Sequence, residues 1–178
     1  KAYIEDNAGI LDAKVFEEGF DTFMDNTGII PSVISVNNED WQPYYNNLES
    51  YALELYLKHF DDEQHFLIVY SEPKEVDPKF NDWYWEAIQG DDTINIITED
   101  TFASFQNDMM TYLVREEYTT SEAIAKCFEN GAIVMKQDGK INDDGKFIMI
   151  YGVGFLLVGG GLLCFFLKKY YDSKCLYE

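Results

Sequence analysis

The chain is short of positive charge. Lysine and arginine together number 13 against 33 aspartates and glutamates, and Arg115 is the single arginine, for a formal net charge of −20. A phosphate backbone is held by clustered Lys and Arg, so a nucleic-acid partner is excluded. Anionic lipid head groups are repelled by such a surface, whereas cations and basic partners are drawn to it. Cysteines number only 3, Cys127, Cys164 and Cys175, and lack the spacing of a zinc site. Neither a disulfide nor bound zinc is expected. There is no P-loop and no G-x-S-x-G elbow, and "DNAGILD" and "DGKINDDGK" both lack the ligand spacing of an EF-hand. The chain begins at Lys1 rather than at a methionine, so an upstream leader or anchor is expected.

What is present suffices for a core. A hydrophobic fraction of 47% and an aromatic fraction of 16% over 178 residues rule out a wholly disordered chain and allow one domain with an appendage. The appendage is "FIMIYGVGFLLVGGGLLCFFL", Phe147 to Leu167, which carries no charge. About 20 apolar residues cross a hydrocarbon core, so the run reads as a transmembrane helix at 147–167. Lys168 and Lys169 abut it, which predicts a short basic cytoplasmic tail (168–178) and an extracytoplasmic acidic domain. Residues 136–146 read as a polar linker.

Before that linker, helical and strand patterns alternate. Asp12 is placed to cap a helix running to about Asn26, with Gly28 at its left-handed stop. Ile29 to Val36 reads as a buried strand. Leu48, Ala52, Leu55 and Tyr56 mark a second helix, and "HFLIVYS" at His65 to Ser71 a strand buried on both faces. Trp83 and Trp85 alternate with Tyr84 and Glu86 at strand period. This strand connects to its predecessor without a helix, so it is expected to run antiparallel to it. Thr98 opens a third helix, and Thr119 with Glu122 has capping-box spacing for a fourth. The predicted fold is an α/β/α sandwich with a small mixed, mostly parallel sheet over 1–135, plus the C-terminal transmembrane helix.

"YIEDNAGIL" at Tyr3 to Leu11, "TG" at Thr27-Gly28, "YALELY" at Tyr51 to Tyr56 and "LIVY" at Leu67 to Tyr70 follow one another as in the TPM domain, which the chain resembles. The resemblance implies a membrane-anchored accessory or binding domain of bacterial type that supports a membrane protein partner. It also implies divalent-cation binding and, as the alternative, a metal-dependent phosphatase-like hydrolase. Asp6 matches the family aspartate. "EQH" at Glu63 to His65 and "QGDDTINIITED" at Gln89 to Asp100 depart from the family's loops.

The acids frame the functional question. Loops leaving the carboxyl ends of parallel strands gather ligands, so Asp6 with Asp91 and Asp92 is the expected site for Ca²⁺ or another divalent cation. Asp62 and Glu63 are further candidates. The competing reading is structural: Asp6 bonding its own turn amides, and Asp62 and Glu63 solvating a helix end. Glu99 and Asp100 are expected as first-turn helix acids. No nucleophile stands beside an evident base, and His65 reads as structural. Tyr44 and Tyr45 are the candidate partner-binding residues, since exposed tyrosines bury much area while keeping a polar tip.

Overall fold

A capping residue opens each of the longer elements. The Asp12 carboxylate accepts from Lys14 N–H at 3.0 Å and starts a 3₁₀ turn, Ala13–Phe16, which runs into α1, Glu17–Thr27. Gly28 ends it at φ 74°, a left-handed conformation in which its N–H reaches Met24 O. Asn47 caps α3, Leu48–His59, and Thr98 caps α4, Glu99–Tyr112, whose first turn holds Glu99 and Asp100. The Thr119–Glu122 box opens α5, Thr120–Ile141, with Glu122 accepting from Thr119 N–H at 2.7 Å. The short α2, Asn38–Trp41, follows β2 directly. These features belong to a computed structural model that describes residues 1–76 and 82–141, the side chains of 137–141 excepted.

Four strands form one sheet in the order β1 (Tyr3–Asp6), β2 (Ile30–Asn37), β3 (His65–Glu72), β4 (Tyr84–Gln89). The first three are parallel and β4 is antiparallel to β3. Alternation along β3 sorts the core. Phe66, Ile68 and Tyr70 face α1, α4 and α5, while Leu67 and Val69 face α3. The first side is aromatic: Phe128 packs edge-to-face on Phe20 and Phe23 with centroids 4.8 and 5.0 Å apart. Both crossovers, β1 to β2 and β2 to β3, step the same way across the sheet. Their helices, α1 and α3, nevertheless lie on opposite faces, so the two crossovers have opposite hands and one breaks the usual right-handed rule.

A mixed, mostly parallel sheet flanked by helices is thus present. The appended membrane helix requires correction. Its residues, 147–167, lie outside those described, and among the described residues no helix is long and apolar enough to cross a membrane. The longest described helix, α5, has 22 residues but carries Glu122, Lys126 and Glu129 among them. The single-pass architecture, the contact with a lipid bilayer, the membrane-protein partner and the extracytoplasmic placement lose their structural support together.

Candidate functional site

The carboxyl end of the parallel strands is where the topology places a ligand. The chain leaves β1 toward one face and β2 toward the other, the local condition that opens a crevice in α/β sheets. One row crosses the sheet there on the α1/α5 face: Asp6, Ser35, Tyr70 and Trp85. Asp6 Oδ1 accepts from the Ser35 hydroxyl at 2.5 Å, from Gly9 N–H at 2.9 Å and from Ile10 N–H at 3.0 Å. Burial pushes this carboxyl up, but the Ser35 hydroxyl and the amides of Ile10, Leu11 and Gly9 outweigh burial and hold it below the ordinary range. Asp6 therefore clamps its own loop, as the structural reading of the sequence expects.

Glu72, at the end of β3, was not singled out from the sequence. Its carboxylate accepts from the Tyr70 hydroxyl at 3.2 Å, and burial pushes its pKa above the ordinary carboxylate value against that hydrogen bond. An acid closing an apolar strand at its carboxyl end was the available signal.

On the opposite face of the same end, a buried polar chain fixes α2 to the sheet. Trp41 Nε1–H donates to Ser71 Oγ at 2.8 Å, Ser71 donates to Asn38 Oδ1 at 2.6 Å, and Asn38 Nδ2 donates to Asp82 O at 2.7 Å. With its polar atoms partnered, this chain is a rigid mount rather than a reactive group. What it mounts is aromatic. The Tyr84 ring stands edge-on to Trp41 at 5.5 Å, and the amides of Tyr44 and Tyr45 both donate to Trp41 O. The Tyr45 ring lies 5.0 Å from Tyr51, and its hydroxyl donates to Glu54 at 2.5 Å. Tyr44 is 79% exposed and Tyr84 40%.

Asp62, Glu63, Asp91 and Asp92 gather at the other end of the sheet. Asp91 N–H donates to Glu63 Oε2 and Asp92 N–H to Glu63 O, both at 3.1 Å, while Gln64 N–H donates to Asp62 Oδ1 at 2.9 Å. The structure does not bring Asp6 to Asp91 and Asp92. Trp85 shares the row of Asp6, and Gln89, the last residue of β4, lies about 14 Å beyond it at strand rise. Three strand spacings separate the sites laterally as well, whereas oxygens on one Ca²⁺ each lie about 2.3–2.6 Å from it. Among the described residues no group of three or more His, Cys, Asp and Glu is placed to hold a metal ion. Asp6 therefore does not share one cation with Asp91 and Asp92 in this arrangement, and among the described residues no metal centre for a metal-dependent hydrolase is assembled.

A Ser, a His and an Asp do meet here. Ser32 Oγ lies 2.8 Å from His65 Nδ1, and His65 Nε2 lies 3.6 Å from Asp62 Oδ1. The Ser32 side chain is wholly buried, at 0% exposure, and the imidazole stacks on Phe60 at 3.9 Å. A nucleophile must reach a substrate, and this one cannot. Burial holds the imidazole below its ordinary value despite Asp62, and its contacts with Ser32 and Phe60 make it a structural ring. Along β1, Tyr3 and Glu5 meet His59: Tyr3 Oη is 2.8 Å from His59 Nδ1, and the Tyr3 hydroxyl donates to Glu5. Burial and then Glu5 push that phenol up to about 12. Cys127 is buried, with its thiol pushed well up by desolvation, and is inert.

Neither a protein family nor a curated protein matches the chain. The resemblance to the TPM domain is therefore withdrawn as an assignment, and the activity and partners that it implied go with it. Its short segments, such as "YIEDNAGIL", are explained locally: an aspartate closing a strand and a glycine, Gly9, at φ 77° make this loop by hydrogen bonding alone.

Proposed function

We propose that the chain is a protein-recognition domain whose binding surface is the aromatic rim at the carboxyl end of the sheet, formed by Tyr44, Tyr45 and Tyr84 around Trp41. One observation carries this reading: Tyr44 is 79% exposed on a mount whose Trp41, Ser71 and Asn38 are buried and hydrogen-bonded. An exposed tyrosine has few side-chain torsions to lose on binding and buries a large area, which is how tyrosines come to dominate interfaces. The net charge of −20 favours a basic partner, both in approach and in discrimination. The Ser32-His65-Asp62 grouping gives hydrolysis no support, because the Ser32 hydroxyl is wholly buried.

The test compares the full chain with a Tyr44→Ser/Tyr84→Ser variant as immobilised bait in extract of the cells that express it. A protein retained by the native chain and lost with the variant, at unchanged thermal stability, supports the rim. Identical retention by both overturns it.

A further inference from the structure

The rim continues into an open strand edge. β4 is the last strand of the sheet, and no described strand pairs on its outer side. The direction of its backbone groups follows from the ladder. Gly90 N–H donates to His65 O at 3.0 Å, and Gly90 and His65 extend the register that pairs Gln89 with Phe66. They are therefore a hydrogen-bonded pair, and alternation makes Ile88–Leu67, Glu86–Val69 and Tyr84–Ser71 hydrogen-bonded pairs as well. The N–H and C=O groups of Trp85, Ala87 and Gln89 consequently point away from β3. Among the described residues they have no backbone partner outside the ladder.

Protein edges are ordinarily blunted by lysine, proline, a bulge or shortness. β1, the other edge, is four residues long. β4 spans six residues, Tyr-Trp-Glu-Ala-Ile-Gln, with neither Lys nor Pro. We infer that β4 takes an extended, basic segment of a protein partner as a fifth strand, paired through the outward groups of Trp85, Ala87 and Gln89. The inference rests on reading the chain as a recognition domain, and it supplies the backbone half of that recognition. Charge selects the occupant. Asp82 precedes the strand, and Asp91 and Asp92 follow it, so acids stand at both of its ends. A second copy of the chain would bring the same acids to the edge, whereas a segment bearing Lys or Arg at alternate positions would meet them with opposite sign.

The probe is an acetylated, amidated hexapeptide of alternating Lys and Val, titrated into the full chain and compared with its fully N-methylated form. N-methylation keeps the charge and removes the strand donors. Ala87→Pro removes one outward N–H without touching the β3 ladder, whereas Ile88→Pro removes a ladder donor. The expected result is binding of the plain peptide, weakened at least about tenfold by N-methylation and by Ala87→Pro. Ala87→Pro should unfold cooperatively near the native temperature, and Ile88→Pro should not fold.

No binding to the native chain overturns the inference, as does equal binding of the N-methylated peptide or equal binding by Ala87→Pro. Loss of the fold in Ala87→Pro overturns it too, by placing that N–H in the ladder. A concentration-dependent dimer abolished by Ala87→Pro would give the edge to a second copy instead. If Tyr44→Ser/Tyr84→Ser weakens binding and Ala87→Pro does not, the rim stands and the strand pairing falls; the converse leaves the pairing and removes the rim.

Discussion

A β-carbon on Gly90 would lie 2.3 Å from the Glu63 carbonyl oxygen and 2.4 Å from the Tyr56 hydroxyl. The turn after β4 is thus pressed onto the backbone that precedes β3. The same contact lets Asp91 and Asp92 donate their amides to Glu63. The clash is with backbone, which cannot swing aside as a flexible side chain can. Gly90→Ala should lower stability by about 1–3 kcal/mol, the usual range for overpacking, read as a lower denaturant midpoint at unchanged slope. An unchanged midpoint would show that this turn is not seated on Glu63.

His65 gives the domain an acid sensitivity with a definite sign. Its folded pKa lies below the ordinary histidine value of 6.5, because burial disfavours the charged ring more than Asp62 favours it. Between the folded and unfolded values the unfolded chain binds more protons, so stability falls as pH falls through and below about 6.5. Above that value the contribution is complete. In His65→Gln this portion of the pH dependence should be missing from denaturation curves taken between neutral and mildly acidic pH.

Glu72 has the opposite sign. Burial raises its pKa above the ordinary glutamate value of 4.5, so the folded chain holds its proton more tightly than the unfolded chain. A charged Glu72 therefore opposes folding at neutral pH, and that opposition declines as pH falls through the raised folded pKa and is gone below the ordinary carboxylate value. Glu72→Gln should stabilise the chain at neutral pH and leave it unchanged near pH 4, about the ordinary carboxylate value. Unfolding midpoints at the two pH values decide this. Equal effects at both would mean that Glu72 is solvated like any surface acid.

Much of the local structure was legible because it is written in adjacent residues. Asp12, Gly28, Thr98 and the Thr119–Glu122 pair act at caps where the sequence placed them. The antiparallel β4 followed from a connection with no helix. The separation of Asp6 from Asp91 and Asp92 is a consequence of that same inference. An antiparallel strand delivers its carboxyl-terminal loop to the end of the sheet where the parallel strands begin, so Gly90-Asp91-Asp92 meets Glu63 and not Asp6. Ser32 with His65, and Trp41 with Ser71, depend on register between distant strands and on which side of the sheet α2 falls. Neither is set by any local pattern. Glu72 was missed because one acid at a strand end looks like a solvated terminus until burial is known.

Amide hydrogen exchange along β4 in the full chain measures the central claim most directly, since recognition at the rim and along the edge needs both a firm mount and free outward groups. The account predicts alternation. Tyr84, Glu86 and Ile88 should be protected by the ladder, and Trp85, Ala87 and Gln89 should exchange fast until the Lys-Val peptide is added, then slow. Uniform protection in the free chain would show that the edge is already covered, and outward amides that stay fast with peptide present would contradict recognition along this strand.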